Sequence, residues 1–178
     1  PAQIDVQAPD GYVFAGWKDR FSKTVSASTS YSLTSESQTL TATFKPLSES
    51  ACPIRINEVS ADNGIFMNAL WKRSDCIELY NCTDKEYDAG GMYLSDNPED
   101  PLKYRLPSGT RIPAAGLLTV WCDKQDGTTE LHAPFKLSDS DVSMVILTSS
   151  DMAWADTLMY PAHGSLQSVG LYPDGGSQ

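Results

Sequence analysis

Apolar and polar residues alternate with a period of two along most of this chain, as expected of strands that turn one face to a core and the other to water. Within residues 1–47 the stretches "IDVQA" (4–8), "GYVFAGW" (11–17), "TSYSLT" (29–34) and "TLTATF" (39–44) read this way, and Pro9-Asp10-Gly11 supplies a turn signal. Phe14 and Trp17 are the large apolar side chains available to a small core there. "KPLSESACP" (45–53) is polar and punctuated by proline. It predicts a linker over 48–53, between a small β-repeat (1–47) and a larger domain (54–178).

Beyond the linker, strand-like runs follow one another: "IRINEV" (54–59), "CIELYN" (76–81), "GMYLSD" (91–96), "KYRLP" (103–107), "GLLTVWC" (116–122), "FKLS" (135–138), "SMVILTS" (143–149) and "ADTLMY" (155–160). Gly, Pro, Asn and Asp turns separate them at intervals of roughly 8–12 residues, the spacing of an all-β sandwich or barrel. Asp126-Gly127 reads as a hairpin turn. The segment "ADNGIFMNALWKRSD" (61–75) differs in character. It is a long connection in which Phe66/Leu70 and Met67/Trp71 stand four apart, a spacing that allows a turn or two of helix.

Charge narrows the possible partners. The chain has 23 acidic and 13 basic residues, a net charge of −10. Residues 1–47 are balanced, so the whole excess lies in 48–178. Such a surface repels a phosphate backbone and gains nothing from counterion release, which excludes a nucleic-acid partner. Anionic membranes are disfavoured likewise, and no apolar run approaches the ~18 residues of a spanning helix, so no direct membrane insertion is expected. The chain begins at Pro1 with neither Met nor signal peptide, as expected of a piece of a longer protein.

Several motifs agree in order with one family. "INEVSADN" (56–63), Asp75 with "IELYN" (77–81), "GGMYLSDNPEDPLKYRLPSGTRIPAAGLLTVW" (90–121), "LHAPFKLS" (131–138) and "YPDG" (172–175) resemble the bacterial lamin tail domain, in the version found beside CotH-type kinase domains. The resemblance covers about residues 52–178. It implies an immunoglobulin-like β-sandwich serving as an extracytoplasmic, accessory, non-catalytic module. Cys76 stands where that family often has Trp, Gly170-Leu171 replaces a usual Gly-Arg, and the chain stops at Gln178, short of the family's usual last segment. On the strength of "GYVFAGW" and "TLTATF", residues 1–47 resemble a divergent InlB B-type repeat, which implies a spacer or adhesive element of a bacterial surface protein.

Candidate chemistry is sparse. Cys76 and Cys82 bracket a strand and, six residues apart, would be separated by about 20 Å, far beyond disulfide reach. They share a face with Glu78 and Tyr80, opposite Ile77 and Leu79, which places them outside the core or at the strand ends. The alternative is a bridge to Cys52 or Cys122. Neither His132 nor His163 stands at zinc-ligand spacing from a partner. Asp62, Asn63, Asp75, Asp96, Asn97 and Asp100 have the hard oxygens that suit calcium, but no Asp-x-Asp-x-Asp loop with its Gly and Glu is present. Turn-capping by these side chains is the plainer reading, so no cofactor is expected.

Ser165 lies near His163 without a nucleophile elbow or an acidic orienter, so no catalytic residue is assigned. The loop residues Ile65, Phe66, Met67, Leu70 and Trp71 either fold over an open end of the sandwich as added core or form a partner-binding patch. The expectation is a monomeric, non-enzymatic interaction or positioning module of a secreted or surface bacterial protein. Its partner would be a protein or an envelope polysaccharide. The other readings are a calcium-assisted carbohydrate-binding module and an accessory fragment of an enzyme whose active site lies in other domains.

Overall fold

The computed structural model describes residues 2–9, 12–26, 28–34, 39–46, 52–126 and 128–176, the side chains of residues 13, 45 and 46 excepted. None of these residues is in a helix. The chain divides into two units, Pro1–Ala51 and Cys52–Gln178. The turn residues Asp10 and Gly11, most of the 48–53 linker, and Gly127 lie outside the described residues.

The first unit has strands β1 (Gln3–Asp5), β2 (Tyr12–Lys18), β3 (Thr24–Ser26), β4 (Ser30–Ser32) and β5 (Thr41–Pro46). β1 pairs with β4, and β2 is central in the sheet β3-β2-β5. Strict alternation would set Phe14 and Trp17 on opposite faces. A β-bulge after Phe14 carries the strand through Gly16 at φ 127° and brings Phe14 opposite Phe44 and Trp17 opposite Ala42, on one face. The two rings meet edge to face at 5.5 Å, and Trp17 donates its indole N–H to the Ser28 carbonyl.

The second unit contains β6 (Ile54–Ser60), β7 (Asp75–Asn81), β8 (Tyr87–Asp88), β9 (Tyr93–Ser95), β10 (Tyr104–Arg105), β11 (Arg111–Ile112), β12 (Leu117–Cys122), β13 (Leu131–Ala133), β14 (Ser143–Thr148), β15 (Ala155–Tyr160) and β16 (Val169–Gly170). A five-stranded sheet, β13-β12-β7-β6-β16, faces a four-stranded sheet, β10-β9-β14-β15, and β8 with β11 forms a short ribbon. The inner faces contribute Ile54, Ile56, Val59, Ile77, Leu79 and Val120 from one sheet and Leu94, Val145, Leu147, Leu158 and Tyr160 from the other, all buried in one core. This is an immunoglobulin-like β-sandwich. Each fully buried aliphatic side chain contributes about 1.5–3 kcal/mol.

Ile56 and Val59 are three apart yet both face the core, because β6 carries a bulge between Ile56 and Glu58. The extra residue is Asn57, nearly fully buried. Its amide donates to Glu78 and Asp174 and its side-chain oxygen accepts from Gly175 N, which ties the 171–176 turn to the outer face of the sheet. Past the bulge, Glu58 and Glu78 stand directly opposite each other. Burial raises the Glu78 pKa, the Asn57 amide opposes the rise, and Glu58 and Asp174 add to it.

A carboxyl group whose pKa is raised on folding favours the native state below the ordinary Glu value of 4.5, and that contribution is lost as pH rises through the folded pKa. Glu78→Gln keeps an acceptor for Asn57 and removes the charge. It is expected to raise the melting temperature by roughly 2–4 °C at pH 7 and to leave it unchanged below pH ~4. An equal gain at both pH values in thermal melts would remove this explanation.

Three sequence expectations need correction. "FKLS" (135–138) is not a strand; the pairing residues are Leu131–Ala133. Phe135 and Leu137 are buried as the alternation requires, but Leu137 N donates to the Asp75 carboxylate instead of a ladder. Residues 123–130 do not make a hairpin, because β12 and β13 run parallel, Val120 opposite Leu131. The 61–75 connection holds no helical turn among its residues, because Asn63 and Asn68 capture the backbone N–H groups that a helix would use. Cys76 lies on the outer face near the start of β7, as expected, yet it is buried there. It belongs to an outer-face row, Ser60–Cys76–Trp121–His132, that is itself shielded from water.

Candidate interaction surface

The connection from β6 to β7 displays apolar side chains on a polar scaffold. Ile65 and Phe66 are each 47% exposed, Met67 50%, Leu70 38% and Trp71 84%. They do not extend the core. Asn63 and Asn68, by contrast, are only 5% exposed. The Asn63 side-chain oxygen accepts from the N–H groups of Ile65 and Phe66, and its amide donates to the carbonyls of Phe66 and Ser74. Asn68 does the same one turn later: its oxygen accepts from Leu70 N and Lys72 N.

Backbone bonds close the second turn, with Trp71 N donating to Asn68 O and Asn68 N to Lys72 O. Trp71 is held at φ 59°, a left-handed conformation that a bulky residue adopts only when its surroundings enforce it. Together these bonds fix the backbone that carries the five apolar side chains.

A buried network fixes this loop to the β12–β13 connection. Asp123 accepts from Asn68 Nδ2 (3.1 Å) and Ser74 Oγ (2.7 Å) on one oxygen, and meets His132 Nδ1 (2.8 Å) and Gln125 N (3.1 Å) on the other. Glu130 accepts from Ala69 N at 2.6 Å. Burial acts to raise the Asp123 pKa. The bonds from His132, Ser74 and Gln125 outweigh it and hold the carboxyl below the usual aspartate range. At the loop's other end, Gly64 N donates to the Ser165 carbonyl. His163 Nε2 accepts from Ala61 N, and its Nδ1 lies 3.1 Å from the Pro161 carbonyl.

This arrangement bears on the chemistry available. In Ser74–Asp123–His132 the carboxylate sits between hydroxyl and imidazole, so the serine meets a weakly basic carboxylate and not the imidazole. Both ring nitrogens of His163 are occupied by backbone, and Ser165 contributes its carbonyl. Burial, helped by Glu58, Glu78 and Asp75, pushes the Cys76 thiol up to about 12, and burial also raises Cys82 and Cys122. Such thiols are poor nucleophiles. Cys76, Cys82 and Cys122 are not bridged.

The acidic candidates for calcium fall into two places. Asp62, Asn63 and Asp75 lie together, with Asp75 accepting from the N–H groups of Asp62 and Leu137. Asp96 pairs with Lys103, while Asn97 and Asp100 close the turn that follows β9. Among the described residues no group of three or more His, Cys, Asp or Glu side chains is gathered as a metal would need.

The structure therefore brings all five predicted patch residues to one surface loop. The parts that sequence reasoning missed are the asparagine scaffold and the Asp123–His132 anchor. The only sequence signal for the scaffold was two asparagines five apart in an apolar run; the anchor joins residues up to 64 positions apart and leaves no local trace. No curated protein matches the chain. A comparison with protein families matches residues 2–48 to the divergent InlB B-repeat domain.

Proposed function

We propose that this chain is a non-catalytic, extracytoplasmic interaction and positioning module of a larger bacterial surface protein, in which the N-terminal repeat is a spacer and the sandwich, of lamin tail type, makes the contact. The observation that carries the reading is the loop 65–71, where two buried asparagines hold five apolar side chains out in water. Exposed aromatic and Met side chains on a preorganised loop are the anchors from which protein interfaces draw most of their binding energy. The match of residues 2–48 to a repeat domain typical of surface or secreted bacterial proteins supports the extracytoplasmic setting. The mechanism is surface complementarity without turnover.

The test compares wild type with Phe66→Ser/Trp71→Ser for retention of bacterial envelope components, identified by mass spectrometry. Both side chains are exposed, so the double variant should melt within about 1 °C of wild type. A component retained by wild type should be lost by the variant, its affinity reduced at least about 30-fold. Equal retention of every component by both proteins would end the proposal.

A further inference from the structure

We propose that a cationic cleft adjoining the 65–71 loop anchors a carboxylate, so that the surface takes an acidic protein segment carrying a neighbouring apolar side chain. This rests on the reading of the loop as a contact surface and specifies its partner. The cleft, about 440 Å³, opens directly after Trp71 and is lined by Lys72, Arg73 and Lys136 among its residues. Three cations line this cleft against two carboxylates, a local excess of positive charge in a chain of net charge −10.

The two acidic side chains in its wall, Asp75 and Asp123, do not neutralise this set by pairing with it. Both oxygens of Asp75 accept from backbone N–H groups, and both oxygens of Asp123 are occupied by Asn68, Ser74, His132 and Gln125. Lys72 Nζ makes a long 3.4 Å contact with Gln125. Those bonds leave both carboxylates charged, so the wall sets three cations against two anions. No ion pair with Asp75 or Asp123 occupies the cations, and an incoming carboxylate can take their donors, with charge complementarity supplying specificity and steering.

The adjacent side chains select the class of ligand. Leu70 and Trp71 run straight into Lys72 and Arg73, so a ligand that fills the cleft also reaches exposed aromatic and aliphatic surface. A peptide segment with an Asp or Glu beside a large apolar residue satisfies both. An acidic polysaccharide offers the charge without the apolar partner.

The experiment selects binders from a random-peptide library on the full chain and measures the most enriched peptide by fluorescence anisotropy, with an alginate oligomer as the polysaccharide probe. The enriched sequences should pair acidic with large apolar residues. Arg73→Glu/Lys136→Glu should weaken binding at least about tenfold and Arg73→Lys/Lys136→Arg by less than about threefold, with affinity falling as salt rises. Enrichment of sequences without acidic residues, indifference to the charge reversal, failure to enrich any peptide, or binding of alginate in place of peptide would overturn the inference. If Phe66→Ser/Trp71→Ser abolishes binding while the charge reversal leaves it intact, only the anchor falls. If neither pair of substitutions matters, the contact surface falls with it.

Discussion

Leu79→Ala is expected to destabilise the Cys52–Gln178 unit by about 3–4 kcal/mol, the cost of removing a fully buried side chain and leaving a cavity that rigid neighbours cannot fill. Leu79 lies at the centre of the five-stranded sheet, between Ile56 on β6 and Leu118 on β12. Strands on both sides are held in register by their own ladders, so neither can move in to close the space. The loss corresponds to a fall in melting temperature on the order of 10 °C. The first unit should be unaffected, because its core is built from its own Phe14, Trp17 and Phe44. Chemical denaturation followed by tryptophan fluorescence measures the change. A loss below about 1 kcal/mol would mean that the two sheets do not enclose Leu79 as described.

Asp123→Ala is expected to cost about 2–4 kcal/mol at pH 7. The substitution strands Asn68 Nδ2, the Ser74 hydroxyl and the His132 imidazole, all in buried residues, and an orphaned buried donor is penalised more than a bond is rewarded. The pH dependence separates this from simple loss of packing. The Asp123 pKa is lowered in the folded protein, so its stabilising contribution is present above the unfolded value of 3.8 and is lost as pH falls through the folded one. The gap between wild type and variant should be widest near neutrality and should narrow as the pH drops below ~4. A gap independent of pH in denaturation measurements between pH 7 and pH 3 would contradict the role given to the charge.

The fold was legible in the sequence because its information is local. Ile77 and Leu79 alternate with Glu78 and Tyr80, and that pattern specifies a strand with one buried face wherever the partner strands lie. Irregular positions escaped it. Asn57 and Gly16 sit at bulges that shift the phase of the pattern, which is how Ile56 with Val59, and Phe14 with Trp17, come to share a face. Alternation placed Cys76 outside the core, but the pattern cannot register that the outer face of the sheet is covered at that end.

The candidate site was half legible. Ile65, Phe66, Met67, Leu70 and Trp71 were conspicuous as an apolar run inside a connection, but the same spacing fitted a helix or an extra piece of core. Their exposure was decided by Asn63 and Asn68, whose side chains replace helical hydrogen bonds, and by Asp123, fifty-five residues beyond Asn68. Long-range polar satisfaction of this kind has no period in the sequence.

The proposed function depends on the loop being locked while its apolar side chains face water. Amide hydrogen exchange of residues 65–72 in the wild-type protein tests this most directly. The N–H groups of Ile65, Phe66, Asn68, Ala69, Leu70, Trp71 and Lys72 all have acceptors within the fold. They are predicted to exchange at least about 100-fold more slowly than in an unstructured peptide. Exchange of these amides at random-coil rates would mean a floppy loop, and would remove the preorganised surface on which the proposed function stands.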